Sequence, residues 1–124
     1  MPNSDLLDLE AAREVFESSQ DFTIGLEEEF AILDPATLDL TDRFDELKTA
    51  AQSDPVLAES AAGELIASEI EIRSGRAGTM AEAISLQQDR RDRLFSVADD
   101  LGISLASMGT HPWASYLDQE IIDT

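Results

Sequence analysis

Glu27 and Glu29 lie two positions apart in an apolar run, Phe22-Thr-Ile-Gly-Leu-Glu-Glu-Glu-Phe-Ala-Ile-Leu33. In extended backbone, residues i and i+2 point the same way, so these two carboxylates share one face. Their mutual repulsion is unfavourable unless a cation or several donors lie between them. Carboxylate oxygens completed by water are what magnesium or manganese prefers, and such sites commonly hold nucleotide phosphates as well. A second run, ending Glu69-Ile-Glu71-Ile-Arg73, puts Glu69, Glu71 and Arg73 on one face. If the two runs pair, Glu71 approaches Glu27 and Glu29, while Glu64 opens the second run and contributes from its end. Glu28 falls on the apolar face, where a charge is costly unless it is paired or that face is partly open. Arg73 can serve as its partner only if a bulge brings the two to one side. A third segment, Gly109 to Tyr116, holds the only histidine, tryptophan and tyrosine of the chain. Strand-end loops commonly carry binding groups; the plainer alternative has Trp113 and Tyr116 buried on the sheet rim and His111 hydrogen-bonded locally.

The elements that must position these residues follow from periodicity and turn chemistry. Residues 4–19 read as a peripheral helix capped by Ser4 or Asp5, with Leu6, Leu9, Ala12, Val15 and Phe16 at helical spacing. Residues 22–33 read as a strand ended by Asp34-Pro35, with Phe22, Ile24, Leu26, Phe30 and Ile32 on one face and Gly25, Glu27, Glu29 and Ala31 on the other; Gly25 leaves room above the carboxylates. Short helices over 42–52 and 56–60 are separated by Ser53-Asp54-Pro55. A second strand runs from Gly63 or Glu64 to Arg73, with Ile66, Ile70 and Ile72 on its apolar face, and residues 74–78 form a loop. Thr79-Met80-Ala81-Glu82 is a capping box. The helix it opens runs to about Leu101, with Gly102 as its stop. Its Met80, Ala83, Ile84, Leu94, Val97, Ala98 and Leu101 are expected to face a core, and Asp89 to Arg93 mostly solvent. Ile103 to Met108 is a third, short strand ended by the loop containing Pro112. Strands with helices between them predict an α+β layer, the sheet packed on the long helix.

Composition narrows the function classes. The 124 residues make one domain's worth of chain, and 43% are apolar, enough for a packed core. Eight basic against 27 acidic residues give a net charge of −19, which repels phosphate backbones and excludes a nucleic-acid partner. A solvated acidic surface accounts for most of these carboxylates. The absence of cysteine removes disulfides, thiolate metal sites and a cysteine nucleophile. No stretch approaches the roughly 20 apolar residues of a membrane span, and no signal-peptide pattern opens the chain. The expectation is a cytoplasmic protein without a membrane partner.

Four motifs in order give a more specific reading. Gly25-Leu26-Glu27-Glu28-Glu29-Phe30, Glu64-Leu-Ile-Ala-Ser-Glu-Ile-Glu71-Ile-Arg-Ser-Gly75, Gly109-Thr-His-Pro-Trp113 and Gln119-Glu-Ile-Ile-Asp123 resemble glutamate–cysteine ligase family 2, the carboxylate–amine ligases. The resemblance covers about Asp21 to the last residue. It implies a glutamine-synthetase-like catalytic domain in which an antiparallel sheet, packed on helices, forms an open funnel. There ATP and magnesium (or manganese) activate the γ-carboxylate of glutamate as an acyl phosphate, and the amine of cysteine or another amine attacks it. By the same resemblance Glu27, Glu29 and Glu71 are metal ligands, and Glu64 matches a further acidic ligand, although simple alternation puts it opposite Glu71 without a bulge. Thr110 and His111 match a loop beside the substrate cavity, and Arg73 steadies the cluster or touches a substrate carboxylate. No side chain is assigned as a general base, because the acyl phosphate supplies the electrophile. Family members are much longer, so residues 1–124 are expected to be one incomplete domain: an N-terminal helix over 1–20, then the first portion of a ligase catalytic domain over 21–124. The partners implied are small-molecule substrates and the remainder of the ligase chain, and a homo-oligomer is compatible with both. Two alternatives stand beside this reading: an acidic cation-binding or assembly module without catalysis, and the same fold ligating a different amine.

Overall fold

Phe30 and Ile32 on one strand, and Ile70 and Ile72 on the next, give a sheet with one fully apolar face, and the helices form over it. The computed structural model describes residues 8–122. In chain order the elements are α1 (Leu9–Glu17), β1 (Glu27–Leu33), α2 (Phe44–Ala51), α3 (Pro55–Ser60), β2 (Ala61–Ala62), β3 (Glu69–Arg73), α4 (Met80–Asp100) and β4 (Ser104–Ala106), followed by a 3-10 turn at Tyr116–Asp118. The sheet is antiparallel with strand order β2-β3-β1-β4. This is the α+β class expected, an antiparallel sheet packed on helices.

The core is a single cluster. Phe30, Ile32, Ile70 and Ile72 meet Phe44, Leu47 and Ala51 of α2, Leu57 of α3, and Leu94 and Ala98 of α4. The four sheet residues share one parity, so all three helices cover the same face. Burying each large side chain contributes ~1.5–3 kcal/mol. Phe95 closes edge-on against Phe30, ring centroids 5.3 Å apart.

Local chemistry sets the helix limits. Asp54 caps α3 by accepting from the amides of Val56 and Leu57, with Pro55 at the first turn. Thr79 caps α4 by accepting from the Glu82 amide, while the Glu82 carboxylate reaches back to the Gly78 amide rather than to Thr79 itself. Gly102 (φ +65°) ends α4 in the left-handed conformation. The Arg43 guanidinium donates to the carbonyl of Leu101 (3.0 Å), where the helix leaves acceptors unpaired.

Several sequence expectations are corrected. β1 starts at Glu27, not Phe22: Phe22 adopts φ +62° and is 96% exposed, so the chain turns there, and only an Ile24–Ala77 bridge precedes the strand. The second strand does not run unbroken from residue 63. Ala61–Ala62 folds back onto Ile72 and Glu71, and residues 65–67 instead pair with the tail, through an Ile66–Ile121 bridge and bonds from the Ala67 amide to the Glu120 carbonyl and from the Ile122 amide to the Leu65 carbonyl. Gly63 leaves room at this crossing: a Cβ there would run into the Ile122 side chain and come within 2.9 Å of the Phe44 ring, so both would have to shift. The third strand is only Ser104–Ala106. In α1, Asp8 is the cap, and Leu9, Val15 and Phe16 are exposed rather than packed; Ser4, Asp5 and Leu6 lie outside the described residues. In α4, Met80 and Ile84 are exposed and Gln87 takes the inward position expected of an apolar residue. No helix among the described residues is long and apolar enough to cross a membrane.

Candidate functional site

The pairing register decides which carboxylates meet. β1 and β3 align Glu27 with Arg73, Glu29 with Glu71, and Ala31 with Glu69. Directly opposed residues project to the same side of a sheet, with Cβ atoms about 4.5–5.5 Å apart. Glu27, Glu29, Glu69, Glu71 and Arg73 therefore occupy one face, opposite the helices. The two-strand convergence expected of Glu27, Glu29 and Glu71 is present in the backbone.

Glu28 has the other parity and points to α4. Its two oxygens accept from Arg91 (2.9 Å) and from the Gln87 amide (3.1 Å). The partner is thus Arg91, not Arg73, and no bulge is needed. Arg91 was expected in solvent; instead its guanidinium also lies over the Phe30 and Phe95 rings, 5.4 and 5.5 Å from their centroids.

Electrostatics identifies the crowded part of the face. Burial, then the Glu27 carboxylate, with Glu29 and Glu64 adding, pushes the Glu71 carboxyl above the ordinary glutamate value, against a lowering from Arg73. Burial, then Glu29 and Glu64, pushes the Glu69 carboxyl the same way. Glu64 is exposed in the loop before β3, and its charge adds to both effects. The parity objection to it dissolves because residues 63–68 leave the strand, so alternation does not count through them. Arg73 forms an ion pair with Glu71 at 3.1 Å and, among the described residues, is the one cation acting on either carboxyl.

The donor set, all oxygen and carried on paired strands with little counter-charge, fits a divalent cation. It is not gathered at one point: among the described residues, no three of His, Asp and Glu stand close enough to hold a single ion. Glu71 is drawn to Arg73 by their ion pair.

Two hollows flank this cluster. A groove of about 510 Å³ opens at the start of β1, lined by Gly25, Glu27, Arg73, Gly75 and Arg76 among others. Gly25 lines it as expected, though a Cβ there would make only an ordinary 3.6 Å contact with the Gly75 carbonyl. At the other end of the same face, a cavity of about 230 Å³ is lined by Ala31, Glu69, Thr110, His111 and Tyr116 among others.

Thr110 and His111 do line a cavity, but the His111 ring is committed to the loop. Its Nδ1 accepts from the amides of Trp113 (3.3 Å) and Ala114 (3.1 Å), which fixes the proton on Nε2, and that nitrogen donates to the Leu38 carbonyl (2.8 Å). Trp113 donates to Asp39 at 2.7 Å and, like Tyr116, is exposed rather than buried on the rim. Glu69 is the residue sequence reasoning passed over; its position two before Glu71 already placed it on the face.

Comparison with known proteins gives the chain its relatives. The profile described as glutamate-cysteine ligase family 2 matches residues 23–123. The chain is 36% identical over 102 residues to the Rubrobacter xylanophilus protein named "Putative glutamate--cysteine ligase 2-1", covering 82% of this chain and 27% of that one. It is 37% identical over 100 residues to "Putative glutamate--cysteine ligase 2" of Corynebacterium jeikeium, covering 80% and 25%. The like-named protein of Bordetella avium is 35% identical over 109 residues, covering 88% and 27%. The chain spans about a quarter of the length of these curated relatives.

Proposed function

The chain belongs to glutamate–cysteine ligase family 2, and from that membership we propose that it supplies the first carboxylate-bearing strands of an ATP-dependent carboxylate–amine ligase. The substrates in this reading are glutamate, ATP and an amine, with cysteine as the leading amine. The γ-carboxylate of glutamate attacks the terminal phosphorus of ATP, ADP leaves, and the amine then displaces phosphate from the acyl phosphate to form the amide. The observation that supports the reading is the rung in which Glu29 faces Glu71, with Glu27 beside it, on an open sheet face.

Glu27, Glu29 and Glu71 would hold magnesium, with Glu64 reaching in from its loop. When bound, such an ion would supply charge neutralisation to the nucleotide phosphates. The protein's own part is positional. Paired strands fix the carboxylates relative to one another, Arg73 restrains Glu71, and the groove beside Glu27 gives an anionic group access to Arg73 and Arg76. Because the chain spans a quarter of its relatives, turnover is expected of the family-length protein and not of these residues alone.

The test is Glu27→Gln and Glu29→Gln in the family-length protein. Each isosteric change should abolish amide formation while leaving the fold, read by circular dichroism, unchanged. Near-normal turnover in either variant would overturn the metal-ligand role. Binding of many cations with no effect of nucleotide would favour a non-catalytic acidic module instead.

A further inference from the structure

Beside the end of β3, a hollow of about 550 Å³ opens between α3 and α4, lined by Pro55, Val56, Glu59, Arg73, Gly75 and Arg90 among others. Its volume lies within the roughly 300–1,000 Å³ of small-molecule sites. Two of the chain's eight basic residues meet there, in a protein of net charge −19. Among the described residues Glu59 is the one carboxylate in the lining, and it is exposed. None of the proposed metal ligands borders this hollow.

Arg90 is what singles the hollow out. Arg43, Arg91 and Arg93 each meet a carboxylate, and Arg93 takes both Asp54 and Asp89, the residue beside Arg90. Among the described residues no carboxylate meets Arg90. Its Nη1 donates to the Leu86 carbonyl one turn back (2.9 Å), and its Nε is buried without a partner. A guanidinium partly drawn out of water with its charge unmet is costly, and a buried donor left unpaired marks a missing partner. Arg73 offers the other half of a cradle. Its Nε is held by Glu71 at 3.1 Å, which leaves the two terminal nitrogens of its fork without a bond among the described residues. Guanidinium forks match the paired oxygens of a phosphate.

We infer that this hollow is an anion site, in which Arg90 and Arg73 together receive a phosphate group, free or carried on a short body that packs on Pro55 and Val56. The site does not depend on the ligase reading: Arg90 lies outside the groove beside Glu27, and Arg73 alone among these arginines borders both. A dianion is favoured over a monoanion, because two cations face it while the rest of the protein repels negative charge. Glu59 opposes the ligand from the rim, so removing its charge should strengthen binding.

The probes are inorganic phosphate and glycerol 2-phosphate, titrated into the chain in metal-free buffer at neutral pH and constant ionic strength, and followed by NMR of the arginine Nε–H groups. A saturable shift of the Arg90 signal is expected with either probe and not with acetate. Tighter binding of glycerol 2-phosphate assigns the site to a phosphate on a short body, and equal binding assigns it to the free ion. Arg90→Gln should weaken binding roughly tenfold or more, the loss of a charge-assisted hydrogen bond, and Glu59→Gln should tighten it by about twofold or more. Arg76→Gln, which touches only the groove beside Glu27, and Arg13→Gln, in an exposed pair with Glu17, should leave it within about twofold. Equal loss in Arg13→Gln and Arg90→Gln would mean general attraction to positive charge and would overturn the site. Loss that follows Arg76 and not Arg90 would move the anion to the groove and overturn it as well, as would acetate binding like phosphate. Circular dichroism checks that Arg90→Gln folds; should it not, a Glu59→Gln variant that fails to tighten phosphate binding overturns the proposal by itself.

Discussion

Glu28 and Glu29 are adjacent in sequence and opposite in role, so the same substitution at each should have opposite consequences. Glu28 accepts two bonds across the sheet–helix interface, from Arg91 at 2.9 Å and Gln87 at 3.1 Å. A hydrogen bond to a charged group is worth ~1.5–3 kcal/mol when buried. Here the Glu28 side chain is 25% exposed and that of Arg91 40%, and an exposed ion pair gives only ~0.2–1 kcal/mol. Glu28→Ala should therefore cost about 1–2 kcal/mol, and Glu28→Gln less, since one oxygen still accepts. At roughly 2.1 cal/mol/K of unfolding entropy per residue, 124 residues lose about 4 °C of Tm per kcal/mol, so Glu28→Ala should melt about 4–8 °C lower. Manganese affinity should not change. Glu29→Gln should behave in reverse: it removes a like charge opposite Glu71, so Tm holds or rises slightly, while manganese binding falls. Melting curves by circular dichroism and titration by proton relaxation read both effects on one sample. A Glu28→Ala variant that melts with the parent and binds manganese poorly would refute the assignment of faces.

Leu94 is fully buried in the cluster where α4 meets the sheet, so Leu94→Ala should cost ~2–5 kcal/mol in urea unfolding; a loss below about 1 kcal/mol would deny it that place. The Arg93 guanidinium, opposed by partial burial and aided by the Leu57 and Val56 amides, holds the Asp54 carboxyl below its ordinary 3.8. A depressed carboxylate contributes stability that is complete above its unfolded value and is lost as pH falls through the folded one. Asp54→Asn, which retains the cap oxygen, should thus melt below the parent at neutral pH, with the gap closing below about pH 4. A gap that persists or widens to pH 2 would contradict the pairing.

What the sequence disclosed and what it withheld divide along the range of the interactions. Period-two alternation correctly separated Glu27 and Glu29 from Glu28 and put Glu71 on a matching face, because pleat geometry is local. The capping box at Thr79 and the stop at Gly102 were legible for the same reason. The partner of Glu28 was not, since Arg91 lies 63 positions away and sits in what reads as a solvated charge run. Nor was the break between Ala62 and Glu69 visible: residues 65–67 leave the sheet because the 120–122 segment pairs with them. That same break lets the field of Glu64 reach Glu69 and Glu71, which a parity count had placed in doubt. Phe22 read as the first core residue of a strand, yet a left-handed turn carries it into solvent, a conformation that apolar alternation does not encode.

The distribution of the few cations argues that the acidic face is more than a solvated surface. Arg43, Arg91 and Arg93 bind Glu46, Glu28, and Asp54 with Asp89, all on the helical side of the molecule, and Lys48 donates to the Ala61 carbonyl. The open face of the sheet sets Arg73, with Arg76 at the groove beside Glu27, against Glu27, Glu29, Glu69 and Glu71 and the nearby charge of Glu64. Stability by itself would favour the opposite, since like charges directly opposed on paired strands are unfavourable. Repulsion tolerated on rigid strands is what a surface has if its counter-charge arrives with a ligand. A positive side chain placed on that face should therefore stabilise the fold and impair the function together, the trade expected where a site is held under strain.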